Sequence, residues 1–307
     1  MVSPLPMATR DAEQARDDLA VHGYCVLRDA LPAESVAALR TRVVEQSLGE
    51  RAIGVRAQED PNAGVYLGGA GLGAHSNRRI WTVVNKGEAF ESLLTHPTVL
   101  ELVGSVIEAP FLLSGIQANF VSPGDDPLPL HSDQGYVPRP WPPYALTASV
   151  IWMLDEFTED NGATTVLPGS HLGAGTASGD VVARAHLLRR GGIPVCAPPG
   201  SALVFDGRIT HGAGRNSTTR DRLAVLTYFC RPFLRQQENF ALSLSPRVLE
   251  QLPDDVKRLL GFGVWKTLGS VEGVCAEGAI VGRPEHPVEA LAPDGRPLPV
   301  QRSPATG

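Results

Sequence analysis

Three residues of this chain have types and spacing that could do chemistry: His131, Asp133 and His211. His131-Ser132-Asp133 sets an imidazole and a carboxylate two positions apart, and His211 follows 80 positions later. Two imidazoles and one carboxylate form the ligand set of non-haem Fe(II) oxygenases. Those ligands occupy one face of the iron and leave the other open for substrate and O2. On a strand, a spacing of two puts both side chains on one face. The short pattern alone carries little weight, because 8 His and 16 Asp in 307 residues give about 0.4 chance matches to His-x-Asp. The plainer reading makes all three ordinary polar residues of strands and loops. That reading leaves an Asp facing a sheet core, which is costly without a cation or a partner.

The surrounding residues add context. Arg222 lies 11 positions after His211 and heads the apolar run Leu223-Ala224-Val225-Leu226. An arginine at the inner end of such a strand needs an anion, because an unpaired buried charge is expensive. A guanidinium holds a carboxylate through two parallel hydrogen bonds. The alternative is a surface arginine beside Asp221, a role that suits Arg215 and Arg220 better. Pro168-Gly169-Ser170-His171 lies between the two halves of the triad. The loop position of His171 suits capping more than ligation.

The elements that must position these groups follow from periodicity and turn residues. Residues 10–22 have helical spacing and end at Gly23, and 24–27 form a short apolar strand. Pro32 starts a second amphipathic helix through Val36, Leu39, Val43 and Val44. Residues 51–78, rich in Gly, Ala and Asn, predict a long loop of the kind that often serves as a lid. A third helix covers 97–107. From Phe111 the pattern changes to strands: 111–121, 128–132, 144–155, 164–167, 194–197, 202–206 and 222–231. Turn residues such as Asn161-Gly162 and Pro198-Pro199-Gly200 separate them. Many short strands with such turns predict a sandwich or jelly roll with the helices outside. A further helix is expected over 246–260, and a Pro-rich arm from about Arg283.

Bulk properties narrow the function classes. A chain of 307 residues can bury a sizeable core. Hydrophobic content of 43% and charged content of 20% fit a soluble globular protein. A net charge of −6 without a basic cluster gives no reason to expect nucleic acid or an anionic membrane surface. Residues 1–18 lack a signal-peptide core, and no apolar run reaches membrane-span length. Cys25, Cys196, Cys230 and Cys275 are scattered without a CxxC pair. They read as reduced, mostly buried residues of a cytoplasmic protein rather than a zinc site.

The resemblance to a known family rests on three runs. They are Leu130-His131-Ser132-Asp133-Gln134, residues 161–171 (Asn-Gly-Ala-Thr-Thr-Val-Leu-Pro-Gly-Ser-His), and residues 199–206 leading to His211-Gly212-Ala213-Gly214 and Arg222. Over roughly 15–235, in order and near the family's spacing, the chain resembles the phytanoyl-CoA dioxygenase (PhyH) family of Fe(II)/2-oxoglutarate oxygenases. The resemblance implies one oxygenase domain over 1–307, mainly β with flanking helices. A double-stranded β-helix (jelly roll, cupin-like) core would span about 111–235. A helical part (10–108) would precede it, and a C-terminal helix and tail (240–307) would follow. It implies Fe(II), the cosubstrate 2-oxoglutarate, and O2. The iron ligands map onto His131, Asp133 and His211, and the cosubstrate-anchoring arginine onto Arg222. Thr164, Gln117 and Asn119 map near the cosubstrate, although sheet-edge amides would explain the last two equally well. Arg79 is a looser match for a second basic contact. Related halogenases lack the carboxylate at the Asp133 position, so its presence argues for oxygen chemistry.

The implied reaction couples decarboxylation of 2-oxoglutarate, to succinate and CO2, with oxidation of a substrate C–H bond. Hydroxylation is expected; desaturation, epoxidation, cyclisation or endoperoxide formation would use the same site. The substrate is expected to be a small apolar organic molecule such as a natural-product scaffold, met at the pocket mouth by Trp81, Tyr136 and Trp141. Tyr136 and Trp141 would equally serve to pack their own loop. Neither nucleic acid nor membrane is expected as a partner, and a monomer and a homodimer are both open. Two rivals remain: a cupin-like metal isomerase or hydrolase that ignores 2-oxoglutarate, and a non-catalytic binding protein on the same fold.

Overall fold

The computed structural model describes residues 5–54, 78–172, 191–282 and 291–297. Its first helix, α1 (Ala12–His22), takes its ends from local sequence. Asp11 accepts hydrogen bonds from the backbone N–H groups of Glu13 and Gln14, and Gly23 closes the helix at φ +81°. That conformation favours glycine, and a Cβ at Gly23 would lie 2.4 Å from the His171 ring. β1 (Tyr24–Leu27), α2 (Ala33–Ala52), β2 (Arg78–Trp81) and α3 (Pro97–Ile107) follow. α3 starts where proline is tolerated, with the His96 ring accepting from the Val99 N–H.

The β-rich part contains β3 (Leu112–Val121), β4 (Thr147–Met153), β5 (Thr164–Leu167), β6 (Ile193–Pro194), β7 (Ala202–Asp206), β8 (Thr210–Ala213) and β9 (Arg222–Cys230). A six-stranded sheet has the order β1-β7-β4-β9-β3-β2, and a smaller one the order β6-β5-β8. The pairings between these strands are antiparallel. Two antiparallel sheets with crossed-over strand order make the double-stranded β-helix expected from the sequence.

Alternation along the strands divides the interior into two cores. Val150, Trp152, Val204, Val225 and Phe229 pack with helix residues such as Leu39, Val43, Leu102 and Val103. Ile151, Met153, Leu203, Phe205, Ala224 and Leu226 point the other way, toward Phe157, Val166 and Ile209. The central strands are therefore buried on both faces and read as near-continuous apolar runs.

Several expectations change in detail. Residues 128–132 do not form a strand. Leu128 N–H reaches Ala213 O, and His131 exchanges both backbone hydrogen bonds with His211 at 2.8 Å, but Pro129 between them has no N–H to extend the ladder. β2 and β8 are strands beyond those expected. The helix expected over 246–260 is broken: Pro246–Gln251 ends at Leu252 in extended backbone, and Asp254–Lys257 restarts after Pro253. Proline cannot continue the ladder, and it drives the preceding residue out of the helical region. Cys25 and Cys230 are buried, but Cys196 and Cys275 are exposed, and all four are free. Most of the 51–78 loop, together with 283–290 and 298–307 of the tail, lies outside the described residues. No described helix is long and apolar enough to cross a membrane.

Candidate functional site

The backbone exchange between His131 and His211 brings the two imidazoles together, with ring centres 4.5 Å apart. Ser132 is extended, at φ −120° and ψ 135°, and Asp133 opens a short 3-10 turn. The carboxylate thus returns to the side of His131. One ligand atom from each of the three residues lies within 4.8 Å of the others. Each imidazole turns its Nδ1 to a carbonyl two residues back: His131 to Pro129 O at 2.9 Å and His211 to Ile209 O at 3.3 Å. Both Nε2 atoms then face Asp133 Oδ1, each at 3.6 Å. That is too long for a hydrogen bond and suits two ligands of one ion at about 2 Å each.

Asp133 is oriented from its other oxygen. The Ser149 hydroxyl on β4 donates to Oδ2 at 2.5 Å, leaving Oδ1 for the imidazoles. Burial pushes the Asp133 carboxyl up. The charges of His211 and His131 and the hydrogen bond from Ser149 outweigh it, and the group falls to about 2. Burial pulls His211 down to about 4, against the attraction of Asp133. At neutral pH the pair is thus a carboxylate beside a neutral imidazole, the protonation a cation requires.

The triad opens into a cavity that is continuous with solvent. Leu128, Ile151, Phe205, Ala213 and Leu226 supply its apolar wall; Arg79, Asn119, Thr164, Arg222 and Tyr228 supply the polar one. Phe205 also packs on the His211 ring, with centres 4.5 Å apart.

Arg222 is 4% exposed. One Nη donates to Gly162 O at 2.7 Å, and the guanidinium lies over the Phe157 ring, 4.0 Å from its centre. Its Nε is buried without a partner, and no described carboxylate forms an ion pair with it. Asp221, its sequence neighbour, pairs instead with Arg78 at 2.6 Å. Burial lowers Arg222 to about 9, with Asp155 pulling the other way, so it remains a cation at neutral pH. The Asn-Gly-x-Thr run is what presents this arginine. Gly162 turns at φ +79°, where a Cβ would meet Gly214 O at 2.7 Å. Its carbonyl takes the guanidinium, and Thr164 follows on the cavity wall.

The remaining expected residues separate. Asn119 lines the cavity, with its Oδ1 buried and unpaired. Gln117 is not among the described lining residues; it reaches the wall through Tyr228, to whose hydroxyl its Nε2 donates at 2.9 Å. Arg79 lines the cavity from β2. Trp81, Tyr136 and Trp141 are absent from the described lining. Trp81 lies half-buried beside Arg79. Tyr136 is 43% exposed. Trp141 is buried and donates to Val137 O at 2.8 Å, so it packs its own loop. His171 is buried against α1, with its Nε2 3.4 Å from Ala20 O. Ser149 and Tyr228 escaped the sequence reading. The signals were a lone Ser inside an apolar strand, and an even spacing of six from Arg222 on the same strand face.

Comparison with known proteins gives this geometry a family. Over residues 19–224 the chain matches the model of the Phytanoyl-CoA dioxygenase (PhyH) family. It is 30% identical over 257 residues to dioxygenase af480 of Aspergillus fumigatus, covering 82% of this chain and 77% of that one. Among solved structures it resembles AviO1 from Streptomyces viridochromogenes at 19% identity and TM-score 0.55, covering 74% of this chain and 98% of that one. HygX from Streptomyces hygroscopicus, solved with nickel and 2-oxoglutarate bound, resembles it at 16% identity and TM-score 0.55, covering 75% of this chain and 90% of that one. With two-thirds of its length inside the family model and a metal-type triad on the family's fold, the chain belongs to the phytanoyl-CoA dioxygenase family and is a dioxygenase.

Proposed function

We propose that the enzyme uses Fe(II), 2-oxoglutarate and O2 to hydroxylate an unactivated C–H bond of a small, largely apolar organic molecule, with release of succinate and CO2. The observation that carries this reading is the pairing, in one cavity, of a two-His, one-carboxylate triad with a buried arginine that has no carboxylate partner among the described residues. The donor set fits a borderline divalent metal with open positions. The orphaned Nε of Arg222 and the free Oδ1 of Asn119 are what a polar ligand seated deep in the cavity would satisfy.

His131, Asp133 and His211 would hold the metal, and Arg222 with Thr164 the far carboxylate of 2-oxoglutarate. Asn119, Arg79 and, through Tyr228, Gln117 border the same space. When bound, the metal and cosubstrate supply the oxidising power for C–H cleavage. The chain's own contribution is placement. Ser149 holds one oxygen of Asp133 so that the other faces the imidazoles. The Nδ1 bonds to Pro129 and Ile209 fix both rings with Nε2 inward. Ile151, Phe205 and Leu226 give the reacting face an apolar wall. Asp133 fills the position that a halide would need, which favours oxygen insertion over halogenation.

Anaerobic titration of the iron-loaded protein with 2-oxoglutarate tests this without knowledge of the substrate. The expected result is a weak visible charge-transfer band that saturates in the wild type and is lost in Asp133→Ala. Its absence from folded, iron-loaded wild type would sink the 2-oxoglutarate reading and favour a metal isomerase on the same fold.

A further inference from the structure

Tyr228 lies on the inward face of β9, six residues from Arg222. An even spacing on a strand keeps both side chains on one side. Tyr228 pairs across the sheet with Ser149 of β4, and Ser149 is the residue that holds Asp133. The phenol therefore stands level with the triad, while Arg222 marks the other end of the strand.

The Tyr228 oxygen accepts from Gln117 Nε2 at 2.9 Å. This bond fixes the ring and leaves the phenolic hydrogen to be donated elsewhere. No described residue accepts it. Burial pushes the phenol up to about 12, so the donor keeps its proton through the neutral range. Arg79 lines the same cavity, and its charge acts on this phenol. Among the described residues it has no hydrogen bond or ion pair, only the Trp81 ring at 5.8 Å. At the level of the triad, the β2–β3–β9 side of the cavity thus offers an O–H donor and a cation but, among the described residues, no anion; the carboxylate that also acts on the phenol is Asp133 of the triad, which Ser149 holds. An apolar substrate leaves both unsatisfied, at a cost; a carboxylate satisfies both.

Building on the proposed function, we infer that Tyr228 donates its hydrogen bond to the 2-oxo-acid end of 2-oxoglutarate, with Gln117 bracing the ring. The cosubstrate is then held at both ends, by Arg222 and by Tyr228. Succinate, which lacks the 2-oxo-acid end, loses the second contact, and this favours its release after turnover.

The test compares wild type, Tyr228→Phe and Arg222→Lys, each loaded anaerobically with Fe(II) and titrated with 2-oxoglutarate. A hydrogen bond to a charged group supports an expected loss of about tenfold in affinity for Tyr228→Phe. The band maximum should move in Tyr228→Phe, because the lost donor touched the end of the ligand that the metal binds. Arg222→Lys should weaken binding with the maximum unmoved. Affinity for Fe(II) alone, and succinate competition, should be equal in Tyr228→Phe and wild type, which a general loss of structure would not allow. Gln117→Leu, which removes the brace and keeps the phenol, should weaken binding less and in the same direction. Wild-type affinity and an unmoved band in Tyr228→Phe would overturn the inference while leaving the proposed function standing. No band in the wild type would remove both.

Discussion

The two faces of the six-stranded sheet are made by alternate residues of the same strands, yet they do opposite work. On β4, Val150 and Trp152 face the helices, while Ser149 and Ile151 face the smaller sheet. On β9, Leu223, Val225 and Phe229 face the helices, while Arg222, Leu226 and Tyr228 line the cavity. The helix face is close-packed and apolar. The cavity face carries a buried cation, a buried carboxylate and several polar atoms without partners. Stability and chemistry are thus separated by a single residue step, about 3.3 Å of strand. The polar face is tolerable because the apolar one behind it anchors the same backbone.

If that division is right, substitutions on the two faces should fail in different ways. The largest effect belongs to Asp133. Asp133→Ala removes the only carboxylate of the triad, and metal affinity measured by equilibrium dialysis should fall by at least about a thousandfold. Thermal stability of the metal-free protein should fall only modestly, because a carboxylate held down at about 2 in the folded chain contributes some stability at neutral pH. A large drop in stability would show that the cavity face also holds the fold together.

Trp152→Ala is the mirror experiment. Trp152 is fully buried, its indole N–H donates to Thr227 at 3.2 Å, and its ring lies 5.7 Å from that of His96. Truncation should cost about 3–5 kcal/mol of unfolding free energy, read by denaturant titration. Metal affinity of the molecules that remain folded should stay near that of the wild type.

Arg222→Met sharpens the comparison on a strand the two faces share. The cation has no carboxylate partner in the described structure, and its Nε is orphaned. A methionine of similar reach should leave stability unchanged or improve it. Affinity for 2-oxoglutarate should fall by about a hundredfold, since a bidentate charged contact is lost. Equal losses of stability and affinity would make Arg222 a structural residue.

The same division explains what could be read from the sequence. The apolar strands 164–167 and 202–206 and the capped helix 97–107 were legible to the residue, because alternation, helical spacing and Pro or Gly boundaries are local. The triad was legible because its residue types are chemically specific and sit, in order, inside the runs that resemble the phytanoyl-CoA dioxygenase family. Strand β8 itself was not legible: Thr-His-Gly-Ala has no apolar pattern, and its pairing comes from partners far along the chain. Trp81, Tyr136 and Trp141 stand out in the sequence as large aromatic side chains, but no local signal says which way the side chain of a loop or strand end points. Trp141 turns inward to bond Val137 O. Prolines decide two further differences, at Pro129 and Pro253, where a missing N–H ends an otherwise plausible element, while the strands expected over 144–155 and 194–197 are shorter, Thr147–Met153 and Ile193–Pro194.

The smallest expected effect is the most telling, because it lies one residue from the helix face. Ser149 neither ligates metal in this reading nor contributes much area, and its neighbour Val150 packs in the helix-side core. Its hydroxyl donates to Asp133 Oδ2 at 2.5 Å and so aims Oδ1 at the two imidazoles. Partners that orient a metal ligand typically matter about 10–100-fold in affinity or activity. Ser149→Ala should therefore weaken metal binding within that range while stability stays within about 1 kcal/mol. Ser149→Thr keeps the hydroxyl and should recover much of the affinity if the cavity takes the extra methyl. Should Ser149→Ala bind metal as tightly as wild type, Asp133 would be oriented by its own short turn, and the cavity face would owe its geometry to backbone alone.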